Sequence, residues 1–204
     1  YTSLAQELNV DLDRYNLSIL SVEGIGFKPY IAICNALNIP WVLRTDNDIF
    51  SKPTKSPTMH YYAGISRIMG ILEHIACQDE PLLQYWSSHK AENEWQYGTE
   101  APTVANDLNA YIKEQAEPFG MFLSDIDLEN DLANSPLQGE LFQYYGKKKV
   151  DTLVKAMQTK KAENMLGFLT EYHAALGALA EDKIAKPLMI LKQAAEERTH
   201  PNHD

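Results

Sequence analysis

Two aspartates one residue apart, Asp46-Asn47-Asp48, follow directly on the apolar run Trp41-Val42-Leu43-Arg44-Thr45. Residues two apart past a strand end project the same way, so two hard carboxylates can converge on a magnesium-type ion, which prefers oxygen ligands. The plain alternative is a solvated turn in which Asp and Asn satisfy backbone donors. A second acidic group, Asp125, Asp127 and Glu129, follows another apolar run, Phe119-Gly120-Met121-Phe122-Leu123-Ser124. Asp127 is also a good amino-terminal cap for a helix from Leu128 to Ala133, with Glu129 and Asp131 favouring its dipole, and both roles can hold together.

Cations that could serve such acids stand farther along. Lys160 and Lys161 interrupt a helical run just before Ala162-Glu163-Asn164-Met165. A cation beside a metal and phosphate site stabilises the charge that develops in a transition state, whereas the bland reading is a solvated lysine pair. Lys147-Lys148-Lys149 reads as a solvated turn, with phosphate contact as the sharper option. The histidines His60, His74, His89 and His173 lack the short spacings of a zinc site. No nucleophile arrangement of Ser, His or Cys stands out, and no phosphate-binding Gly-X-X-X-X-Gly-Lys loop is present, so ATP binding is not encoded in this stretch.

The elements that would position these residues begin with Leu17 to Val22, an apolar run with β-branched members that reads as a strand closed by the loop Glu23-Gly24-Ile25-Gly26. Tyr30, Ile31, Ile33, Cys34 and Leu37 keep helical spacing until Asn38-Ile39-Pro40 stops the helix, and Trp41 to Thr45 is a second strand. Strand, helix, strand makes a β-α-β unit with parallel strands and a right-handed connection. Ligands in open parallel sheets bind at the carboxyl ends of strands, and Asp46-Asn47-Asp48 sits at such an end. Residues 51–56, with Pro53 and Pro57 nearby, read as a loop. Met59 to Cys77 reads as one long helix, residues 84–102 show no clear pattern, Val104 to Gln115 is helical, and Phe119 to Ser124 is a third strand. From Pro136 to Glu197 the pattern is helical, with breaks near Gly146, Glu181 and Pro187.

A chain of 204 residues is long enough to bury its own core without staples. Its two cysteines, Cys34 and Cys77, lie in apolar helical stretches and read as buried reduced thiols, a usage that fits the cytoplasm. No stretch approaches the ~18 consecutive apolar residues of a membrane span, so no membrane partner is expected. The formal charge of -10, from 18 basic and 28 acidic side chains, argues against nucleic-acid binding through bulk positive charge. It leaves room for a nuclease whose metal ions neutralise a local acidic site. Tyr1 to Asn9 reads as the end of a helix rather than its start, which suggests a chain cut inside an element with the preceding strand outside it.

The order of these features resembles the Toprim domain of OLD-family (overcoming lysogenisation defect) ATP-dependent endonucleases, the group that includes the nuclease subunit of Gabija anti-phage systems. The resemblance runs from Asp11-Leu12-Asp13-Arg14-Tyr15-Asn16 through Val22-Glu23-Gly24, Gly26-Phe27-Lys28-Pro29-Tyr30 and Ala36-Leu37-Asn38-Ile39-Pro40 to Thr45-Asp46-Asn47-Asp48. It continues in Phe122-Leu123-Ser124, Asp127-Leu128-Glu129-Asn130-Asp131-Leu132, Lys160-Lys161-Ala162-Glu163-Asn164-Met165 and Ile184-Ala185-Lys186-Pro187-Leu188.

The resemblance implies an α/β fold: a Toprim-type parallel sheet flanked by helices in residues 1–135, a helical insertion at about 57–117, and a helical carboxyl-terminal region in 136–204. By the same resemblance Asp46 and Asp48 match metal ligands, Glu129 with Asp127 matches the later acidic motif and adds to the metal ligands, and Lys161 or its neighbour Lys160 is the active-site lysine. Mg²⁺ or Mn²⁺ is the implied cofactor, and DNA the implied substrate. The family's first acidic motif and its ATPase domain are expected upstream of Tyr1, which would leave this piece a poor nuclease alone. A homo-oligomer and a helicase-like subunit are the implied protein partners. A reading from a different class keeps the fold and makes the chain a catalytically degenerate module for oligomerisation or docking.

Overall fold

The computed structural model describes residues 1–22, 26–52, 57–76, 80–159 and 161–199. Glu23, Gly24, Pro53, Cys77, Lys160 and the tail 200–204 lie outside the described residues. The chain divides into two compact units, one formed by residues 22–127 and the other by residues 1–21 together with 128–204.

The continuous unit starts with α1's successor in the chain: α1 (Thr2–Glu7) belongs to the other unit, and α2 (Phe27–Ala36) is the first helix here. Helix α2 stops where Asn38 adopts a left-handed φ of 53°, a conformation Asn tolerates, and Ile39 N–H donates back to the Cys34 carbonyl at 2.8 Å. Pro40 then prevents continuation. Next come β1 (Leu43–Thr45), β2 (Ile49–Lys52), β3 (Met59–Tyr62), α3 (Ala63–Ile75), α4 (Pro81–His89), β4 (Glu94–Gln96), α5 (Thr103–Ala116) and β5 (Met121–Leu123).

Strand β1 pairs in parallel with β5, in the register Leu43 with Met121, Arg44 with Phe122 and Thr45 with Leu123. This differs from the β-α-β unit expected from sequence, because Leu17 to Val22 forms no strand. Ile19 and Leu20 are exposed, and β-branched or apolar composition yields a strand only where a neighbour completes the ladder. The parallel partner of β1 instead comes from later in the chain, with Leu123 opposite Thr45, a pairing that only the tertiary fold can select.

A second sheet, antiparallel with order β2-β3-β4, was not legible as such in the sequence. Strand β2 occupies the start of the expected loop, and β3 replaces the first turn of the expected long helix. With a strand on each side, the backbone groups of Met59 to Tyr61 find ladder partners on both edges, which outweighs helical propensity. The helical period takes over at Ile65, and Ile65, Ile68, Met69 and Leu72 form one apolar stripe of α3. That stripe packs with Leu108 and Ile112 of α5, Met121 and Leu123 of β5, and Trp95.

The discontinuous unit is helical, as expected: α6 (Leu128–Ala133), α7 (Gln138–Tyr145), α8 (Val150–Gln158), α9 (Lys161–Glu171), a 3-10 turn over His173–Leu179, and α10 (Lys186–Thr199). Gly146 ends α7 in the left-handed region at φ 60°. Leu137, Leu141, Leu153, Phe168 and Leu179 are fully buried, and Leu4, Ala5 and Val10 from the amino end join the same core. No helix among the described residues is long and apolar enough to cross a membrane. Cys34 is a free, half-buried thiol.

Candidate active site

Thr45 ends β1, and its carbonyl accepts from Ser124 N–H at 3.1 Å, extending the parallel ladder by one step. The ends of β1 and β5 therefore share a rim within residues 22–127, and Asp46, Asp48 and Asp127 belong to the segments that leave it. Asn47 fixes this rim. Its backbone N–H donates to the Ile126 carbonyl at 2.7 Å, its Nδ2 donates to Asn109 Oδ1 at 2.7 Å, and its Oδ1 accepts from Ile65 N–H at 3.1 Å. Ile65 lies in the first turn of α3, where backbone donors have no partner within the helix. Tyr62, at the helix start, gives no side-chain cap, so Asn47 caps α3 from a distant segment.

Two further residues shape the same turn. Arg67 Nη1 donates to the Asp46 carbonyl at 3.1 Å and to Thr45 Oγ1, which brings a guanidinium to the strand end. Gly64 lets α3 approach: a Cβ there would stand 2.5 Å from Asn47 Oδ1, 2.6 Å from the Asp46 carbonyl and 2.6 Å from Leu123 Cδ2. Asp46 and Asp48 are half-buried on either side of Asn47, which is itself 1% exposed. Asn47 reads from sequence as a turn residue, and its partners 18 and 62 positions away carry no local signal. Arg67 and Gly64 also went unmarked, because a helical pattern alone does not reveal which backbone a helix approaches.

Among the later acids, Asp125 is exposed and paired with Lys113, and Asp127 is buried. Glu129 and Lys161 belong to the other unit and meet there: Lys161 Nζ lies 2.9 Å from Glu129 Oε1, with the lysine exposed and the carboxylate nearly covered. Asp131, whose side chain is fully buried, pairs with Lys183 at 3.0 Å. The short helix α6 is thus held by lysines from two other segments. Burial pushes the Tyr145 phenol up from its ordinary value, with Tyr144 and the Glu129 carboxylate adding to the effect. Its hydroxyl is buried without a hydrogen-bond partner among the described residues. Lys148 and Lys149 are exposed in the turn before α8.

Among the described residues, no group of three or more His, Cys, Asp or Glu side chains is gathered around a point that could hold a metal ion. The donor chemistry at the β1 rim still suits one class of ion. Magnesium-type ions keep several waters and are bound by one or two carboxylates plus substrate phosphate, and Asp46 and Asp48 supply two such oxygens. A zinc-type cage of nitrogen and sulfur ligands has no counterpart here. His60 illustrates the point, since Gly98 N–H donates to its Nε2 at 3.1 Å and its Nδ1 lies 3.0 Å from Ser51 Oγ, leaving it a structural residue of the sheet.

Strand-end acids at the rim of a parallel pair, with helices packed against it, make this a mixed α/β fold. Residues 1–48 match the family model described as overcoming lysogenization defect protein-like, TOPRIM domain. The fold is shared with solved structures of OLD-protein C-terminal regions. That from Burkholderia pseudomallei has a TM-score of 0.51 at 21% identity, over 95% of this chain and 90% of its own. That from Xanthomonas campestris pv. campestris has a TM-score of 0.50 at 20% identity, over 98% of this chain and 89% of its own. At such identities the likeness concerns the fold. A search of curated proteins finds no match. Residues 1–48 are thus similar to an OLD-type Toprim domain, and the chain shares the fold of OLD-protein C-terminal regions.

Proposed function

We propose that this chain is the DNA-cleaving, metal-dependent module of an OLD-family ATP-dependent endonuclease that serves in anti-phage defence. The observation that carries the reading is the end of β1, where Asp46 and Asp48 flank a buried, three-bonded Asn47 at the last residues of the family match. Asp46 and Asp48, with Asp127, would hold Mg²⁺ or Mn²⁺. When bound, such an ion supplies Lewis-acid polarisation of a phosphoryl oxygen and a water of lowered pKa. Asn47 and Arg67 fix the backbone of the turn that carries both carboxylates, which limits its reorganisation when a phosphodiester arrives. By the family resemblance alone, Glu129 would be a further metal ligand and Lys161 the active-site lysine; within their own unit the two pair at 2.9 Å. The ATPase domain of the parent protein, a closed homo-oligomer and a helicase-like subunit belong to this proposal.

Plasmid cleavage by the parent protein in Mg²⁺ and in Mn²⁺ tests it. Wild type is expected to cut, and Asp46→Ala and Lys161→Ala, at matched folding, are expected not to. Cutting that survives Asp46→Ala removes the assignment. The docking reading is favoured by one observation, the exposed apolar residues Tyr30, Ile33 and Leu37 on and just after α2. Absence of cutting with any metal or nucleotide would select it.

A further inference from the structure

The antiparallel sheet begins one residue after Asp48, and its register sorts its side chains onto two faces. One face points inward and carries Tyr62 and Trp95, both buried. On the other, Phe50 stands opposite Tyr61 and Tyr61 opposite Glu94, while Lys52 stands opposite Met59. Phe50 is 49% exposed, and its ring lies on the face opposite to that of buried Tyr62 and Trp95. Ala63 N–H donates to the Asp48 carbonyl at 2.9 Å, which continues the pairing of β2 with β3 by one step. Asp48, Phe50 and Lys52 accordingly follow one another at two-residue intervals, on the same side of an extended chain and about 7 Å apart.

A carboxylate, an open aromatic ring and a cation at this repeat fit a nucleic-acid strand. Aromatic rings on a sheet take bases by stacking, and a neighbouring cation takes phosphate. Lys52 Nζ lies 4.5 Å from the centroid of the Tyr61 ring and 2.5 Å from Glu94 Oε1. That pair is part-exposed, so exchanging the carboxylate for a phosphate costs little. Lys52 covers one side of Tyr61, which leaves Phe50 as the ring open to a ligand.

We propose that this face holds an unpaired base of the DNA strand leaving the Asp46 and Asp48 carboxylates, stacked on Phe50, with Lys52 at the next phosphate. The proposal rests on the nuclease reading above and gives that site a preference for DNA with an unpaired nucleotide beside the cut.

The probe is a phosphorothioate single-stranded oligodeoxynucleotide carrying 2-aminopurine, titrated in Mg²⁺ and compared with its duplex. Wild type is expected to quench the 2-aminopurine, and Phe50→Trp to keep the quenching. Phe50→Leu is expected to lose quenching and to bind the single strand about tenfold more weakly, the loss of one stacked base, with duplex affinity unchanged. An unchanged tryptophan emission spectrum, with Trp95 on the packed face of the same sheet, checks the fold of the variant. If Phe50→Leu binds the single strand as wild type does while plasmid cleavage persists, the stacking site is wrong and the nuclease reading stands. If it instead abolishes self-association with DNA binding intact, a second copy covers the face and the proposal is overturned. No DNA binding and no cleavage by the wild-type parent protein would remove both.

Discussion

Replacing Asn47 by alanine should cost the continuous unit far more than a turn residue ordinarily would. The Ile65 N–H at the start of α3 would lose its acceptor in a buried position, worth about 1–2 kcal/mol as a lost cap. The bond from Asn47 Nδ2 to Asn109 Oδ1 adds about 1 kcal/mol. The expected loss is about 2–3 kcal/mol, a fall in melting temperature of roughly 5–10 °C for a chain of this size. Urea unfolding followed by tryptophan emission is the suitable assay, because Trp41, Trp86 and Trp95 all lie within residues 22–127 and report on that unit. Asn109→Ala should cost about 1 kcal/mol, and the double variant should show a coupling near that value. A loss under about 0.5 kcal/mol in Asn47→Ala, the range of an ordinary surface substitution, would refute the capping role.

Gly64→Ala would drive a methyl group against the Asp46 carbonyl and Asn47 Oδ1, and should destabilise by about 3 kcal/mol in the same urea assay. Lys183→Met leaves the buried Asp131 carboxylate without its lysine and should cost about 2 kcal/mol by circular-dichroism melts, whereas the exposed Lys161→Met should cost less than 1 kcal/mol. The Tyr15 hydroxyl, 2.8 Å from Glu196, holds that carboxyl below its ordinary range, with Lys192 assisting against the opposing effect of burial. A depressed carboxylate contributes stability above its unfolded pKa and loses it as pH falls through the folded value. Urea midpoints of wild type and Tyr15→Phe should therefore differ at neutral pH and converge in acid.

Local signals revealed what local forces decide. Pro40 ahead of an apolar run marks β1, the 3.6-residue stripe from Ile65 marks α3, and Gly146 marks the end of α7, each through constraints contained in a few neighbouring residues. The β2-β3-β4 sheet was hidden because Met59-His60-Tyr61-Tyr62 is equally consistent with a helix until two partner strands supply ladder bonds. Leu17 to Val22 erred the other way, having strand composition without a partner. Within the site, Asp46 and Asp48 announce themselves by type and spacing. The groups that hold their turn do not: Asn47 caps a helix that starts 16 residues later, and Arg67 reaches back from the second turn of that helix. The Lys161–Glu129 pair spans 32 positions, so only its residue types were visible.

The unit made from residues 1–21 and 128–204 is completed late in synthesis. Residues 22–127 are complete before any of 128–204 has left the ribosome, and domains fold as they emerge. Leu4, Ala5 and Val10 must wait, since the core they enter is built by residues from Leu132 to Leu188. At bacterial or eukaryotic elongation rates that interval lasts on the order of ten seconds. During it Leu4, Ala5 and Val10 have no core to enter and stand open to chaperones and proteases, and translation stalled near residue 130 would hold the nascent chain in that state.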